Sequence, residues 1–235
     1  MSPLALVTGA AHRLGKSFAL TLARHGFDIF LHYYSSEEEA YQTRAEIESI
    51  GRRVYLSQMD LREPEHIRIL MNTIFEPLGV LVNCAAMMPN GTVNDLSLEN
   101  WDATLDLNLR APFLLSQRAS EIMTEGGLIV NITDVGAQKA WSRYPSYTVS
   151  KAALESLTKI LARALAPRIR VNAIAPGFVL QSDIVTDEEW QRLINRIPLK
   201  RPAGTEEVTS ALEFLLQNEY ITGQTIVVDG GYSLI

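Results

Sequence analysis

Tyr147 and Lys151 stand four residues apart in the stretch Ser146-Tyr147-Thr148-Val149-Ser150-Lys151-Ala152-Ala153-Leu154. Read as a helix, that spacing puts a phenol and an ammonium on one face. A phenol titrates near about pH 10, and a cation held beside it favours the phenolate, so the pair is expected to carry a proton near neutral pH. Tyr147 is thus a candidate acid or base. A packed aromatic beside a surface lysine would show the same spacing, so the rest of the chain has to supply the site.

The first supporting stretch is at the start. Leu4 to Thr8 is a short apolar run of β type, followed directly by Gly9-Ala10-Ala11-His12-Arg13-Leu14-Gly15 and a helical pattern through Phe18, Leu22 and Ala23. Strand, glycine turn and helix form the arrangement that cradles phosphate on helix N–H groups. Gly9 permits the turn, and Gly15 lets the helix start approach the sheet and a pyrophosphate.

The second strand, Asp28 to Tyr34, ends in His32-Tyr33-Tyr34-Ser35-Ser36 and offers no acid to the ribose hydroxyls. Arg13 in the turn, with the Ser35 and Ser36 hydroxyls, could instead hold a 2′-phosphate, so NADP(H) is the expected cofactor. Glu37-Glu38-Glu39 would repel a phosphate if turned inward, but Ser36 with Glu39 fits a capping box opening the next helix. Asp60-Leu61 follows a third strand at Arg53 to Gln58. Asp60 is placed to accept from an adenine amino group, or to cap the helix after Pro64.

Asn83 lies near the end of a fourth strand, Val80 to Cys84. Leu98 to about Met123 reads as one long helical region whose polar exception is Asn108, there either to satisfy a kink or to hold a water against Lys151. A fifth strand, Gly127 to Thr133, delivers Asp134 thirteen residues before Tyr147. A sixth, Ile169 to Ile174, ends in Ala175-Pro176-Gly177-Phe178-Val179, whose backbone groups could pair with a carboxamide. Thr186 to Arg196 is an amphipathic helix within an expected substrate lid at about 178–200. Glu206 to Leu216 is the last helix and Thr225 to Val228 the last strand.

The elements that position these residues alternate strand and helix without repeats or a linker. With 235 residues, 47% hydrophobic and 20% charged, the expectation is one α/β domain over 1–235, a doubly wound parallel sheet of about seven strands with helices on both faces. A net charge of -6 with scattered cations excludes a nucleic-acid-binding field. Cys84 is the single cysteine, which rules out an internal disulfide and a thiolate zinc cluster; no metal site is expected. Ser2-Pro3 opens the chain without a basic region and apolar core, and no apolar run reaches membrane-spanning length, so a cytoplasmic protein with no membrane partner is expected.

Taken together the motifs resemble the classical short-chain dehydrogenase/reductase family over essentially the whole chain. The residues that carry the resemblance are Thr8 to Gly15, Asp60-Leu61, Leu81 to Ala86, Asn108, Tyr147 to Lys151, Arg170 to Gly177 and Val227 to Gly231. It implies a Rossmann fold, hydride transfer with a nicotinamide cofactor and a small-molecule substrate. Tyr147 would be the proton donor, Lys151 would hold the nicotinamide ribose, Asn108 would join a proton relay, and the assembly would be a homotetramer or homodimer. The implied cofactor contacts are Gly9, Arg13, Leu14, Gly15, His32, Tyr33, Ser35, Ser36, Asp60, Leu61, Asn83, Ala85, Tyr147, Lys151, Pro176, Gly177 and Val179.

Asp134 stands where the family usually has Ser, and pteridine reductases share that Asp, the Gly-Ala-Ala-His-Arg-Leu-Gly turn, His32-Tyr33 and Ser36. Ala86 and Met88 occupy the positions of their pterin-contacting Ser and stacking aromatic. The resemblance therefore implies reduction of a dihydropterin or dihydrofolate, with Met88, Asp134 and Phe178 toward the substrate. A ketone such as a 3-oxoacyl thioester is the alternative, which Met87, Met88 and Phe178 would suit; a non-catalytic NADP-binding sensor is the remote one. A carboxylate at 134 is expected to raise the Tyr147 pKa, partly opposing Lys151.

Overall fold

The computed structural model describes residues 2–139, 141–181 and 185–235. Its strands are β1 (Leu4–Val7), β2 (Asp28–Tyr33), β3 (Val54–Gln58), β4 (Leu78–Asn83), β5 (Met123–Ile132), β6 (Ile169–Pro176) and β7 (Thr225–Val228). They pair in parallel in the order β3-β2-β1-β4-β5-β6-β7. Every residue of β1 and β2 is buried, which is why β1 reads as an unbroken apolar run: helices cover both faces of a parallel sheet. The order reverses between β1 and β4, and the connections that leave these neighbouring strands part, opening a crevice at their carboxyl ends.

The helices are α1 (Arg13–Arg24), α2 (Glu37–Ser49), α3 (Pro64–Asn72), α4 (Leu98–Leu105), α5 (Ala111–Ile122), α6 (Pro145–Leu165), α7 (Asp187–Arg196) and α8 (Thr205–Gln217). One core packs Phe18, Leu22, Ile47, Val208 and Leu212 on one sheet face, and a second packs Leu70, Leu115 and Leu161 on the other. A small third cluster of Val135, Ile194, Ile197 and Tyr232, with Trp141, Phe178 and Trp190 against it, seats α7 beside the crevice.

Two sequence expectations need correction. Ser36 precedes α2 but its side chain makes no capping bond; its backbone has ψ 66 instead of the extended value that aims a cap oxygen at the first turn. The long helix from Leu98 is interrupted by a π turn at Asp106–Arg110, where the Ala111 N–H returns to the Asp106 carbonyl. Pro112 contributes to the break, because it has no N–H to give the Asn108 carbonyl four residues back. Among the described residues no helix is long and apolar enough to cross a membrane.

Candidate active site

A cleft of about 1030 Å³ crosses the carboxyl ends of the strands. Ser35, Ser36, Asp60, Leu61 and Arg62 line it beyond β2 and β3, the Gly9–Gly15 turn lines its middle, and Tyr147, Lys151 and Asp134 stand beyond β5.

The turn is closed so tightly that side chains are excluded. Gly9 has φ +64, and a Cβ there would lie 3.0 Å from Ala85 Cα; a Cβ on Gly15 would lie 2.0 Å from the Gly9 carbonyl oxygen. Thr8 Oγ1 accepts from the Cys84 and Ala85 N–H groups at 2.9 and 3.0 Å, tying the ends of β1 and β4 together. His32 braces the turn from below. Its Nδ1 accepts from the Gly9 N–H at 3.3 Å, its carbonyl accepts from the Ala10 N–H at 2.9 Å, and its Nε2 faces the Met59 carbonyl at 3.0 Å as donor. Burial disfavours the imidazolium and pushes the His32 pKa down to about 4. His32 thus spends both ring nitrogens on the chain and holds the cradle's shape. A glycine cradle that a Cβ would fill, beside hydroxyls and a guanidinium, fits a dinucleotide with its phosphates.

Arg13 is placed otherwise than expected. Its backbone has φ 52, and its guanidinium donates to the carbonyls of Leu180 at 3.0 Å and Gln181 at 3.2 Å, so it spans the cleft to the lid side and not to Ser35 and Ser36. Asp60 spends both carboxylate oxygens on Arg62, at 2.6 to 3.1 Å, and Arg62 Cζ lies 5.5 Å from the centroid of the Tyr34 ring.

Helix α6 opens on Pro145, whose missing N–H costs nothing in the first turn, and buries Ser146, Tyr147, Ser150 and Lys151. Tyr147 Oη donates to Asp134 Oδ2 at 2.8 Å, and Asp134 Oδ1 accepts from the Gly136 N–H at 2.6 Å. Lys151 Nζ donates to the Ile132 carbonyl at 2.7 Å and stands 5.6 Å from the Tyr147 ring centroid. Burial holds the Tyr147 phenol well above its usual range, and the Asp134 carboxylate pushes the same way. Burial also raises Asp134, with Lys151 pulling back, and lowers Lys151. The expectation that Lys151 brings the phenol toward neutrality is therefore corrected. The ammonium lies against the ring and bonds a backbone carbonyl, while the hydroxyl faces a carboxylate, so the proton stays on Tyr147.

Asn108, fully buried at the π turn, works as a clamp. Its Oδ1 accepts from the Met87 N–H and its Nδ2 donates to the Met87 carbonyl, both at 2.9 Å, and Nδ2 also donates to Ser150 Oγ at 3.1 Å. The side chain joins the Met87 wall to α6, and among the described residues it makes no direct hydrogen bond to Lys151. Asn83 is a second correction: its amide donates to Asn131 Oδ1 at 2.8 Å, Asn131 donates on to Thr158 Oγ1 at 2.9 Å, and Asn83 does not line the cleft. It links β4, β5 and α6 through a buried polar ladder.

The far end of the cleft is walled by Met87, Met88, Trp141, Tyr144, Phe178 and Trp190, with Pro176, Gly177 and Val179 below. Phe178 meets Trp190 edgewise at 5.9 Å and Tyr232 at 4.9 Å. Thr186 caps α7, accepting from the Glu189 N–H at 3.2 Å; residues 182–184 of the expected lid lie outside the described residues. Ala85, Leu14, Tyr33 and Met88 line the cleft as expected. Trp141, Tyr144, Trp190, Tyr34 and Arg62 were not singled out from sequence. The aromatic residues just before Tyr147, and the tryptophan inside the α7 pattern, were the available signals.

The family model described as "Enoyl-(Acyl carrier protein) reductase" matches residues 9–233. The chain is 33% identical over 241 residues to the 3-oxoacyl-[acyl-carrier-protein] reductase FabG of Staphylococcus aureus, covering 98% of each. Among solved structures it is similar to FolM alternative dihydrofolate reductase 1 from Brucella canis complexed with NADP, at 35% identity and TM-score 0.92, covering 99% of this chain and 94% of that one. A blue fluorescent protein from a metagenomic library, in complex with NADPH, is similar at 30% identity and TM-score 0.92, with 98% and 97% covered. Seven parallel strands around a glycine cradle, a Tyr–Lys pair on one buried helix and these relatives place the chain in the classical short-chain dehydrogenase/reductase family, as an NADP-dependent oxidoreductase.

Proposed function

We propose that the protein reduces a C=N bond of a dihydropterin or dihydrofolate with NADPH, Tyr147 supplying the proton. The observation that carries this reading is the 2.8 Å bond from Tyr147 Oη to Asp134 Oδ2. A carboxylate in that place keeps the phenol protonated and offers an acceptor to the N–H groups of an aminopyrimidine ring. The Brucella canis relative named as an alternative dihydrofolate reductase supports the same choice.

Bound NADPH supplies the hydride; the chain supplies everything else. The Gly9–Gly15 cradle takes the pyrophosphate on backbone N–H groups. Lys151 uses one N–H on the Ile132 carbonyl, which leaves two for ribose hydroxyls and a fixed positive charge under the Tyr147 ring. Tyr147 gives its proton to the substrate nitrogen, and the resulting phenolate, unfavourable beside Asp134, draws a proton back from solvent. Asn108 acts as a positioning residue through Met87, and its carbonyl, without an α-helical donor from Pro112, can take part in that return path. Half-exposed Phe113 and Val149 and exposed Ile160 on α5 and α6 fit association through these helices.

A second reading is reduction of a ketone such as a 3-oxoacyl thioester. It is favoured by the thioether wall of Met87 and Met88 where a stacking aromatic would serve a pterin, and by the FabG relatives. NADPH oxidation followed by absorbance, with dihydrobiopterin and dihydrofolate in one series and acetoacetyl thioesters in another, separates the two. Turnover of the dihydropterins, lost by about 10²- to 10⁴-fold in Tyr147→Phe, is the expected result. Turnover of thioesters alone would transfer the assignment to the second reading.

A further inference from the structure

An NADP-dependent site must hold a 2′-phosphate of about −1.5 to −2 charge, and the usual places for its cation are empty of one here. The chain after β2 reads Tyr34-Ser35-Ser36 and runs into Glu37-Glu38-Glu39, so it offers hydroxyls without positive charge. Arg13, the cation of the glycine turn, is engaged with the Leu180 and Gln181 carbonyls across the cleft.

Arg62 approaches from the other side, beyond the end of β3, and lines the same cleft as Ser35 and Ser36. It is held at several points. Its backbone N–H donates to Asp60 Oδ1 at 3.0 Å and its carbonyl accepts from Arg110 at 2.6 Å. Its Nε and Nη2 fork onto the Asp60 carboxylate, and its Cζ lies over the Tyr34 ring. Nη1 has no hydrogen-bond partner among the described residues, and the side chain keeps 37% of its surface exposed. One edge of the guanidinium is thus gripped, Nη2 also reaches the Tyr34 hydroxyl at 3.4 Å, its plane is fixed, and Nη1 is left for an anion. That is the geometry of a preorganised oxyanion fork, which loses little entropy when the anion arrives. Ser36 Oγ, which the helix cap does not use, adds a neutral donor.

We propose that Arg62 is the residue that selects NADP over NAD in this protein, its Nη1 edge taking the 2′-phosphate together with the Ser35 and Ser36 hydroxyls, with Asp60 as its positioning partner. The selecting cation then comes from the β3 end and not from the glycine turn or the β2 end.

Fluorescence titration of NADPH and NADH against the native protein, Arg62→Gln and Arg62→Lys tests this without any substrate, so its result is independent of which compound the enzyme reduces. Arg62→Gln should raise the NADPH Kd by about 10- to 100-fold and change the NADH Kd by less than about twofold, the loss of one charge-assisted fork. Arg62→Lys, which keeps the charge and loses the fork, should fall between, and covers the case in which the glutamine variant does not fold. Adding salt should erode the NADPH preference of the native protein more than that of Arg62→Gln. Equal weakening of NADPH and NADH would mean that Arg62 only braces the Asp60 turn, and an unchanged preference would mean that another group holds the phosphate; either overturns the proposal.

Discussion

Asp134 holds Tyr147 by its hydroxyl: the phenol donates to Oδ2 at 2.8 Å while Oδ1 is fixed by the Gly136 N–H at 2.6 Å. Both carboxylate oxygens are therefore oriented, and the proton on Tyr147 sits between two buried groups whose charged forms the surroundings disfavour. Burial and the carboxylate both keep the proton on the phenol.

That relationship predicts the alkaline limb of the reaction. In the proposed reduction Tyr147 must be protonated, so activity should fall as pH rises through its pKa, and burial with the Asp134 carboxylate moves that pKa up. Asp134→Ser removes the charge and should shift the falling limb of kcat/KM to lower pH, measured over the range in which both proteins stay folded. An identical profile for the two would show that Asp134 does not load the phenol.

The cradle makes a sharper demand. A methyl on Gly15 would stand 2.0 Å from the Gly9 carbonyl oxygen and 2.8 Å from its carbon, and both are backbone atoms that cannot swing aside. Gly15→Ala is expected to cost about 1–3 kcal/mol of stability and to weaken NADPH binding by at least about tenfold, read by calorimetry and by cofactor fluorescence. Native-like binding in this variant would mean that the turn opens at no cost.

Asn108→Ala leaves three partners behind: the part-buried N–H and carbonyl of Met87 and the buried Ser150 Oγ. Each group stranded without a partner costs about 1–3 kcal/mol, so the midpoint of thermal unfolding should drop by about 5 °C or more. Asn108→Asp should be nearly as damaging, since it keeps an acceptor for the Met87 N–H and loses both donated bonds. Differential scanning calorimetry of the two variants decides whether the clamp carries this weight.

His32 predicts an acid-side instability. Its pKa is 6.5 in a solvated chain and about 4 when folded, so between these values the unfolded state binds a proton that the folded state refuses. The contribution is complete above about pH 6.5 and declines as pH falls toward 4, at up to about 1.4 kcal/mol per pH unit. Native unfolding temperature should therefore slope downward on acidification in that window. His32→Phe should start lower at pH 7, having lost the Gly9 brace, and show a shallower slope; parallel slopes would place the acid lability elsewhere.

The sequence by itself determined the alternation of strand and helix, the single parallel sheet, the glycine cradle and the shared face of Tyr147 and Lys151, because each follows from local periodicity or from steric limits within a few residues. β7 at Thr225–Val228 matches its expected bounds. Only the tertiary structure decided what each polar side chain meets. Arg13 could be placed in the turn but not aimed, since Leu180 and Gln181 reach it from 167 and 168 residues away. Asn83 could be read as a strand-end residue and Asn108 as a polar exception in a helical segment, yet one faces a buried ladder and the other the cleft wall, which depends on which strands and helices become neighbours. The direction of the Tyr147 shift was decided in the same way. Spacing along the chain reveals both the ammonium and the carboxylate, whereas burial, the largest cause of the upward shift, arises only when the sheet has closed over the site.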